Sequence, residues 1–417
     1  MVTKLQVFSS AFSFDIKTTI GESPFTVQWL LEALTEGDAA FVARVKDTSV
    51  ADVDGYDISG GKGYFSRVYK VTIRFEDCGD PHIVILKVPG IESAEIFRNG
   101  EASPINLERV IDCHNREVYF YKHFAPKIEI PLVRVFRAVE WIPGKQMGCI
   151  LMENLCENSD TASFYGSLSR GQVEAVVKSL AKLHGFFLST PREQWAGKFQ
   201  LTIMNTEEIV KGGARTMKEM AEERPEMFKE IASQLLPYMK SQRFYDYTIR
   251  DLGVELGIPP ILIHGDVWTN NVMFDQRADG SLGDGLRALL DWQIIHDGCI
   301  AFDLARLLVI SLDGDVRREL EAHMLELYFD SLKAFLAERN LEITFGFGQL
   351  LEAYKAAFIT QSVFVLLFAI SFTSKPIINE FEKKLQDARR EKLYLRAYNA
   401  LEEAVEYLKE IPSDKLL

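Results

Sequence analysis

The segment LIHGDVWTNNVMF (262–274) places His264, Asp266, Asn270 and Asn271 between two apolar runs. About twenty residues after Asn271, a further apolar run ends at Asp291 in LLDWQ. An Asp can accept the proton of an attacking hydroxyl, while an Asn and a second Asp can hold a metal ion. Magnesium asks for a few hard oxygens and completes its octahedron with water and substrate phosphates. Asp and Asn are also common turn residues that hydrogen-bond their own backbone. The segment alone leaves both readings open.

NVMFDQRADGSLGDGLRALLDWQ has two apolar runs around a Gly- and Asp-rich loop, which predicts a hairpin. If Val272 pairs antiparallel with Leu290, Asn271 lies opposite Asp291, and directly opposed Cβ atoms are about 4.5–5.5 Å apart. Asp266 then sits five residues upstream of Asn271.

Towards the N-terminus, FTVQWLLEALTE (25–36) puts Val27, Leu30, Leu31 and Leu34 on one helical face. SRVYKVTIRF and HIVILKV read as strands, CHNREVYFYKHF as a helix, and VRVFRAVEW and GCILMEN as strands again. After Asn158 the period becomes helical: GQVEAVVKSLAKLHGFF aligns Val173, Val176, Val177, Leu180, Leu183 and Phe187 in one stripe. Residues 205–250 and 315–410 read as helical, the latter with a break at Lys375-Pro376, and only 259–292 interrupts them with strand-like runs. These readings predict an α+β chain with a sheet-rich N-terminal lobe (1–152), a hinge (153–158) and a helical C-terminal lobe (159–417).

Composition narrows the function classes. Lysine and arginine total 47 against 60 acidic residues, a net charge of −13, so no basic face for nucleic acid is expected. The five cysteines form no CxxC pair and no zinc spacing, which predicts reduced thiols and a cytoplasmic protein. The N-terminal stretch has no sustained apolar run, so no signal peptide is expected. The most apolar run, Val363 to Phe372, is ten residues long, whereas a span needs about 20. A buried helix is predicted there, not a membrane span.

Taken together, HGDVWTNN, LLDWQ and FDLARLL resemble the aminoglycoside phosphotransferase and choline kinase superfamily. Trp268 inside the loop and the DWQ…FDLARLL continuation look like the CHK kinase-like (ecdysteroid kinase-like) proteins. The resemblance runs from about Gly60 to the last helices and implies a protein kinase-like two-lobe fold. It implies ATP and Mg2+ as cofactors, Asp266 as catalytic base, and Asn271 and Asp291 as metal ligands.

The N-terminal lobe carries weaker matches in the expected order. GGKGYFSRV reads G-x-G-x-x-S-x-V, with Gly61 and Gly63 kept and Ser66 in place of the third glycine. A plain hairpin start would read the same way. IVILK places Lys87 at a strand end, where a solvated charge is the bland alternative. By resemblance Glu117, in NREVYFY, pairs with Lys87, and the backbone from Glu153 to Leu155 in ILMENL meets adenine. His264 is expected to be a packed loop residue and His184 a core residue. Asp303 is either a helix-start cap or, by resemblance, a brace for the catalytic loop. Trp268 and Trp292 are core aromatics or, for one of them, lining for the acceptor pocket.

The implied function is an ATP-dependent kinase acting on a hydroxyl of a small metabolite: a steroid alcohol, a glycoside or an amino alcohol. Choline or ethanolamine kinase is the alternative inside the superfamily and would want an acidic, aromatic cage for a cation. A protein kinase fits less well. The loop reads HGD and not HRD, DWQ replaces DFG, and the A-P-E-like tripeptide Arg224-Pro225-Glu226 precedes the loop. A pseudokinase would lack the Lys, Asp or Asn, all of which are present.

Overall fold

The computed structural model describes residues 14–59, 65–90, 107–199, 206–373 and 379–417. The chain divides into two compact units. One comprises Met1–Lys127 with Leu132–Glu157, the other Ile128–Pro131 with Asn158–Leu417. The five cysteines are free.

The first unit is built on an antiparallel five-stranded sheet, ordered β1-β2-β3-β5-β4. Its strands are β1 (Val50–Asp57), β2 (Ser66–Phe75), β3 (His82–Pro89), β4 (Val135–Val139) and β5 (Cys149–Glu153). In β2 the buried residues Tyr69, Val71, Ile73 and Phe75 alternate with less buried ones, the period of a strand with one face in the core. Helix α1 (Val27–Gly37) buries Leu30, Leu31 and Leu34 in the same core. Its start is fixed by Thr26, whose hydroxyl accepts the Trp29 amide. A short helix α2 (Ala39–Arg44) follows, and α3 (Leu107–His123) carries Glu117. Strand β1 has no counterpart in the sequence reading. VADVDGYD is rich in Asp and Gly, which are depleted in strands, and β1 forms because it pairs along β2.

The second unit is mainly helical. Helix α4 (Arg170–Ser189) opens with a capping box between Ser169 and Gln172, and its apolar stripe from Val173 to Phe187 is buried. Helices α5 (Thr206–Glu223) and α6 (Pro225–Met239) follow, then short helical turns to Glu255. Helix α7 (Ile300–Ser311) is buried along its whole length. It is followed by α8 (Gly314–Ala337), α9 (Phe347–Thr373) and α10 (Glu380–Leu408). The break at Lys375-Pro376 lies outside the described residues.

Helix α9 contains the apolar run Val363–Phe372, which is helical and largely buried as expected, and it extends well beyond that run. The segment Phe347–Phe372 is long and apolar enough to cross a bilayer, yet 67% of its most apolar window is buried within the protein. Thr360, Gln361 and Ser362, at its middle, are fully buried and bond within the unit. This is the pattern of a core helix.

Two small antiparallel sheets interrupt the helices and carry the polar loop. Strands β6 (Ser159–Thr161), β8 (Val272–Gln276) and β9 (Leu282–Leu289) form one, and β7 (Ile261–Ile263) pairs with β10 (His296–Gly298) in the other. The β8–β9 hairpin exists, but its register differs from the simple expectation. Val272 pairs with Leu289, and the Leu290 amide donates to the Asn271 carbonyl at 2.8 Å. Irregularities at Met273/Phe274 and Phe274/Gln276 displace the pairing, and unpaired residues of this kind cannot be counted from sequence. Asp291 therefore lies one residue beyond the position opposite Asn271.

Candidate active site

The loop from His264 to Asn271 joins β7 to β8. Gly265 has φ +82°, and a Cβ there would lie 2.7 Å from the Ile294 carbonyl oxygen and 3.0 Å from the His296 ring. Both the left-handed backbone and the close approach require glycine. Asp303, inside α7 and not at its cap, accepts the His264 amide through Oδ2 and the Gly265 amide through Oδ1, each at 2.8 Å. Its Oδ2 also lies 3.1 Å from His184 Nε2, and His184 Nδ1 lies 2.6 Å from the Tyr328 hydroxyl. Burial alone would raise the Asp303 pKa. The His184 hydrogen bond and the Gly265 amide help to outweigh burial and hold it below the usual carboxylate value.

His264 is fully buried. Its Nε2 donates to the Leu290 carbonyl at 3.0 Å and its Nδ1 accepts the Asp266 amide at 3.2 Å, a pairing that requires the neutral ring. Burial lowers its pKa against the opposing charges of Asp303, Asp266 and Asp291. Its ring packs on Trp292, 4.4 Å between centroids, and Trp292 is itself core. Three carboxylates thus act electrostatically on one neutral imidazole.

Asp266 is held through both oxygens. Arg306 Nη2 donates to Oδ1 at 2.5 Å and Asn271 Nδ2 donates to Oδ2 at 2.8 Å. Asn271 Nδ2 also reaches the Asp266 carbonyl at 3.0 Å. With its amide nitrogen so engaged, Asn271 presents Oδ1, which accepts no hydrogen bond among the described residues. Asp291 sits in the left-handed region, φ 65° and ψ 67°, and its Oδ2 accepts from Gln293 at 3.0 Å. An amide oxygen and a carboxylate are hard donors of the kind magnesium takes. Among the described residues no group of three or more His, Cys, Asp or Glu could hold a metal, so the donor set differs from a zinc cage.

Arg306 escaped the sequence reading. It is 4% exposed, and its Nη1 donates to Gln361 Oε1 at 3.2 Å. The available signal was a lone cation in the apolar helix FDLARLL, three residues after Asp303. A buried arginine needs a buried acceptor.

The first unit brings together Lys87 and Glu117. Lys87, in β3, donates to Glu117 Oε2 at 2.7 Å, with the lysine side chain 13% and the glutamate 2% exposed. Ser66 is buried at the start of β2, opposite Pro89, two positions along the ladder from the Val68–Lys87 pair. Gly61 and Gly63 lie outside the described residues. Glu153 ends β5 and accepts the Arg134 amide at 2.7 Å, while half-buried Leu155 follows it. On α3, His114 bonds the Val139 carbonyl at 2.8 Å, and burial pushes its pKa down to about 4.

Comparison with known proteins adds a family and a fold. The profile of the DUF1679 family, described as Uncharacterized oxidoreductase dhs-27, matches residues 52–410. The chain is 26% identical over 400 residues to Uncharacterized oxidoreductase dhs-27 of Caenorhabditis elegans. That likeness covers 92% of this chain and 47% of the relative, so the chain spans about half of that protein's length. It is 20% identical to the Uncharacterized kinase-like protein D1044.1 of the same organism, over 76% of this chain and 82% of that one. Among solved structures it resembles choline kinase from Cryptosporidium parvum, with a TM-score of 0.52 and 10% identity. That match covers 91% of this chain and 96% of that one, and it is a likeness of fold.

Proposed function

We propose that this chain, which belongs to the DUF1679 family, is an ATP-dependent small-molecule kinase. It would transfer the γ-phosphate of ATP to a hydroxyl of a small metabolite such as a steroid alcohol, a glycoside or an amino alcohol. The observation that carries this reading is the Asp266 carboxylate, fixed by Arg306 and Asn271 on a loop braced by Asp303. The transition state of phosphoryl transfer is loose, so catalysis is chiefly positioning and charge stabilisation. A carboxylate that cannot turn is suited to that task.

In this reading Asp266 orients the acceptor hydroxyl and takes its proton as the hydroxyl oxygen bonds to the γ-phosphorus. The bond from that phosphorus to the bridging oxygen breaks, and ADP leaves. Lys87, aligned by Glu117, holds the α- and β-phosphates. Backbone amides from Gly61 to Ser66 cover them, and the backbone from Glu153 to Leu155 meets adenine. Asn271 Oδ1 and the Asp291 carboxylate would hold magnesium, which when bound neutralises phosphate charge. The narrower kinship with the CHK kinase-like proteins is supported by HGDVWTNN, LLDWQ and FDLARLL.

The word oxidoreductase in a relative's name raises a second reading. A dinucleotide-binding unit needs parallel strands joined by a crossover helix. Every strand pairing among the described residues is antiparallel. The kinase reading is therefore favoured for this chain. Labelled ATP and magnesium, incubated with a metabolite extract and separately with a peptide library, test it. Label entering a small alcohol is expected. Label entering peptides alone would point to a protein kinase, and label entering neither to a pseudokinase.

A further inference from the structure

Aromatic rings gather around the partner of Asp266. The Arg306 guanidinium lies 5.2 Å from the centroid of Phe364 and 4.9 Å from that of Phe368. Phe368 in turn stacks on Trp268, 5.0 Å apart and 23° between planes. Trp268 meets Phe164 edge-on at 5.4 Å, and Arg396 lies over Phe164 at 5.3 Å.

Rings beside a catalytic carboxylate would ordinarily suit a cationic alcohol, with the ring faces attracting the cation and the carboxylate balancing it. Here the chain's own cations already take both roles. Arg306 neutralises Asp266 and also lies on the rings of Phe364 and Phe368. Among the described residues, Arg306 Nε, Gln361 Nε2 and Trp268 Nε1 are buried polar atoms of this cluster without a hydrogen-bond partner. All three are donors, and a quaternary ammonium group has no acceptor atom to offer them. The Gln361 amide is oriented by its oxygen, which accepts from Arg306.

We propose that Arg306 sets the acceptor class of this site, excluding cationic alcohols and admitting neutral ones. The inference rests on the phosphotransferase reading for the fate of the hydroxyl, and on the ring cluster and ion pair for which alcohol binds. A cationic acceptor would bring a second positive charge to Asp266 against a buried guanidinium, and like charges so placed reject the wrong partner.

Choline and 3,3-dimethylbutan-1-ol have the same shape and differ in one atom, a charged nitrogen against a neutral carbon. Calorimetry on the full chain with magnesium and ADP measures the affinity of each. The neutral alcohol should bind at least about tenfold more tightly, and Arg306→Gln should shrink that ratio towards one. If Arg306→Gln does not fold, Gln361→Glu sets a negative charge against Arg306 and should shift the ratio the same way. Choline binding as tightly as its isostere overturns the proposal, as does binding of neither. A ratio unchanged in a folded variant overturns it too. Failure of the kinase reading looks different: the two affinities differ as expected, but no label passes from ATP to either alcohol.

Discussion

Asp303 holds the backbone of His264, accepting its amide at 2.8 Å with both residues fully buried. The same carboxylate accepts the Gly265 amide and meets His184, so one side chain satisfies three donors. Asp303→Ala would leave all three unsatisfied in the interior, and breaking such a buried network costs about 3–5 kcal/mol. Asp303→Asn keeps one acceptor oxygen and should cost less. Urea unfolding of both variants checks the order, and equal losses would remove the bracing role.

For Asp266, stability and activity should separate. Asp266→Asn retains an oxygen for Arg306 but loses the proposed base, so turnover should fall about 10²–10⁴-fold with little change in folding. Asp266→Ala leaves the Arg306 guanidinium buried without that partner and should unfold about 1–3 kcal/mol more easily. Turnover in Asp266→Asn within a few-fold of wild type would show that Asp266 is not the base.

Asp291 combines a left-handed backbone with a carboxylate. Asp291→Ala and Asp291→Gly both remove the carboxylate, but glycine adopts this backbone without the cost of about 1–2 kcal/mol that a Cβ imposes. The glycine variant should be the more stable, while both lose magnesium-dependent nucleotide binding. Nucleotide titrations with and without magnesium, beside thermal melts, separate the two effects. Equal loss of binding in both conditions would indicate misfolding instead.

Acid should destabilise the fold in a defined window. His264 and His114 both have pKa values depressed by burial, the latter to about 4. A depressed pKa means that the unfolded chain binds more protons, so stability is complete above about pH 6.5, the unfolded histidine value. It then falls as the pH drops through the folded value. His114→Asn should flatten this slope between pH 6.5 and about 4. An unchanged slope in urea melts across that range would remove His114 as a contributor.

The elements readable from sequence are those whose residues report their own environment. The stripe from Val173 to Phe187 and the alternation in SRVYKVTIRF mark helix α4 and strand β2, because apolar period follows backbone period. Strand β1 was illegible, since its Asp-rich sequence is a strand only through its pairing with β2. In the site, Lys87 and Glu117 meet at 2.7 Å, a contact across 30 residues that the motif order suggested and periodicity could not. The hairpin pairing was off by one position, because bulges are set by local geometry rather than composition. Arg306 is illegible for a related reason: in one dimension a lone arginine looks like surface, and only the packing of α7 places it against Asp266.

The steric closure at Gly265 also bears on ancestry. Glycine codons and arginine codons differ by a single nucleotide, so HGD and HRD are neighbours in the genetic code. At Gly265, however, any side chain would need φ near +82° and would press on the Ile294 carbonyl. A lineage carrying this loop could not reach the HRD form by that one step without first moving the backbone around Ile294 and His296. The adjacency in codons is therefore no measure of how closely two such loops are related.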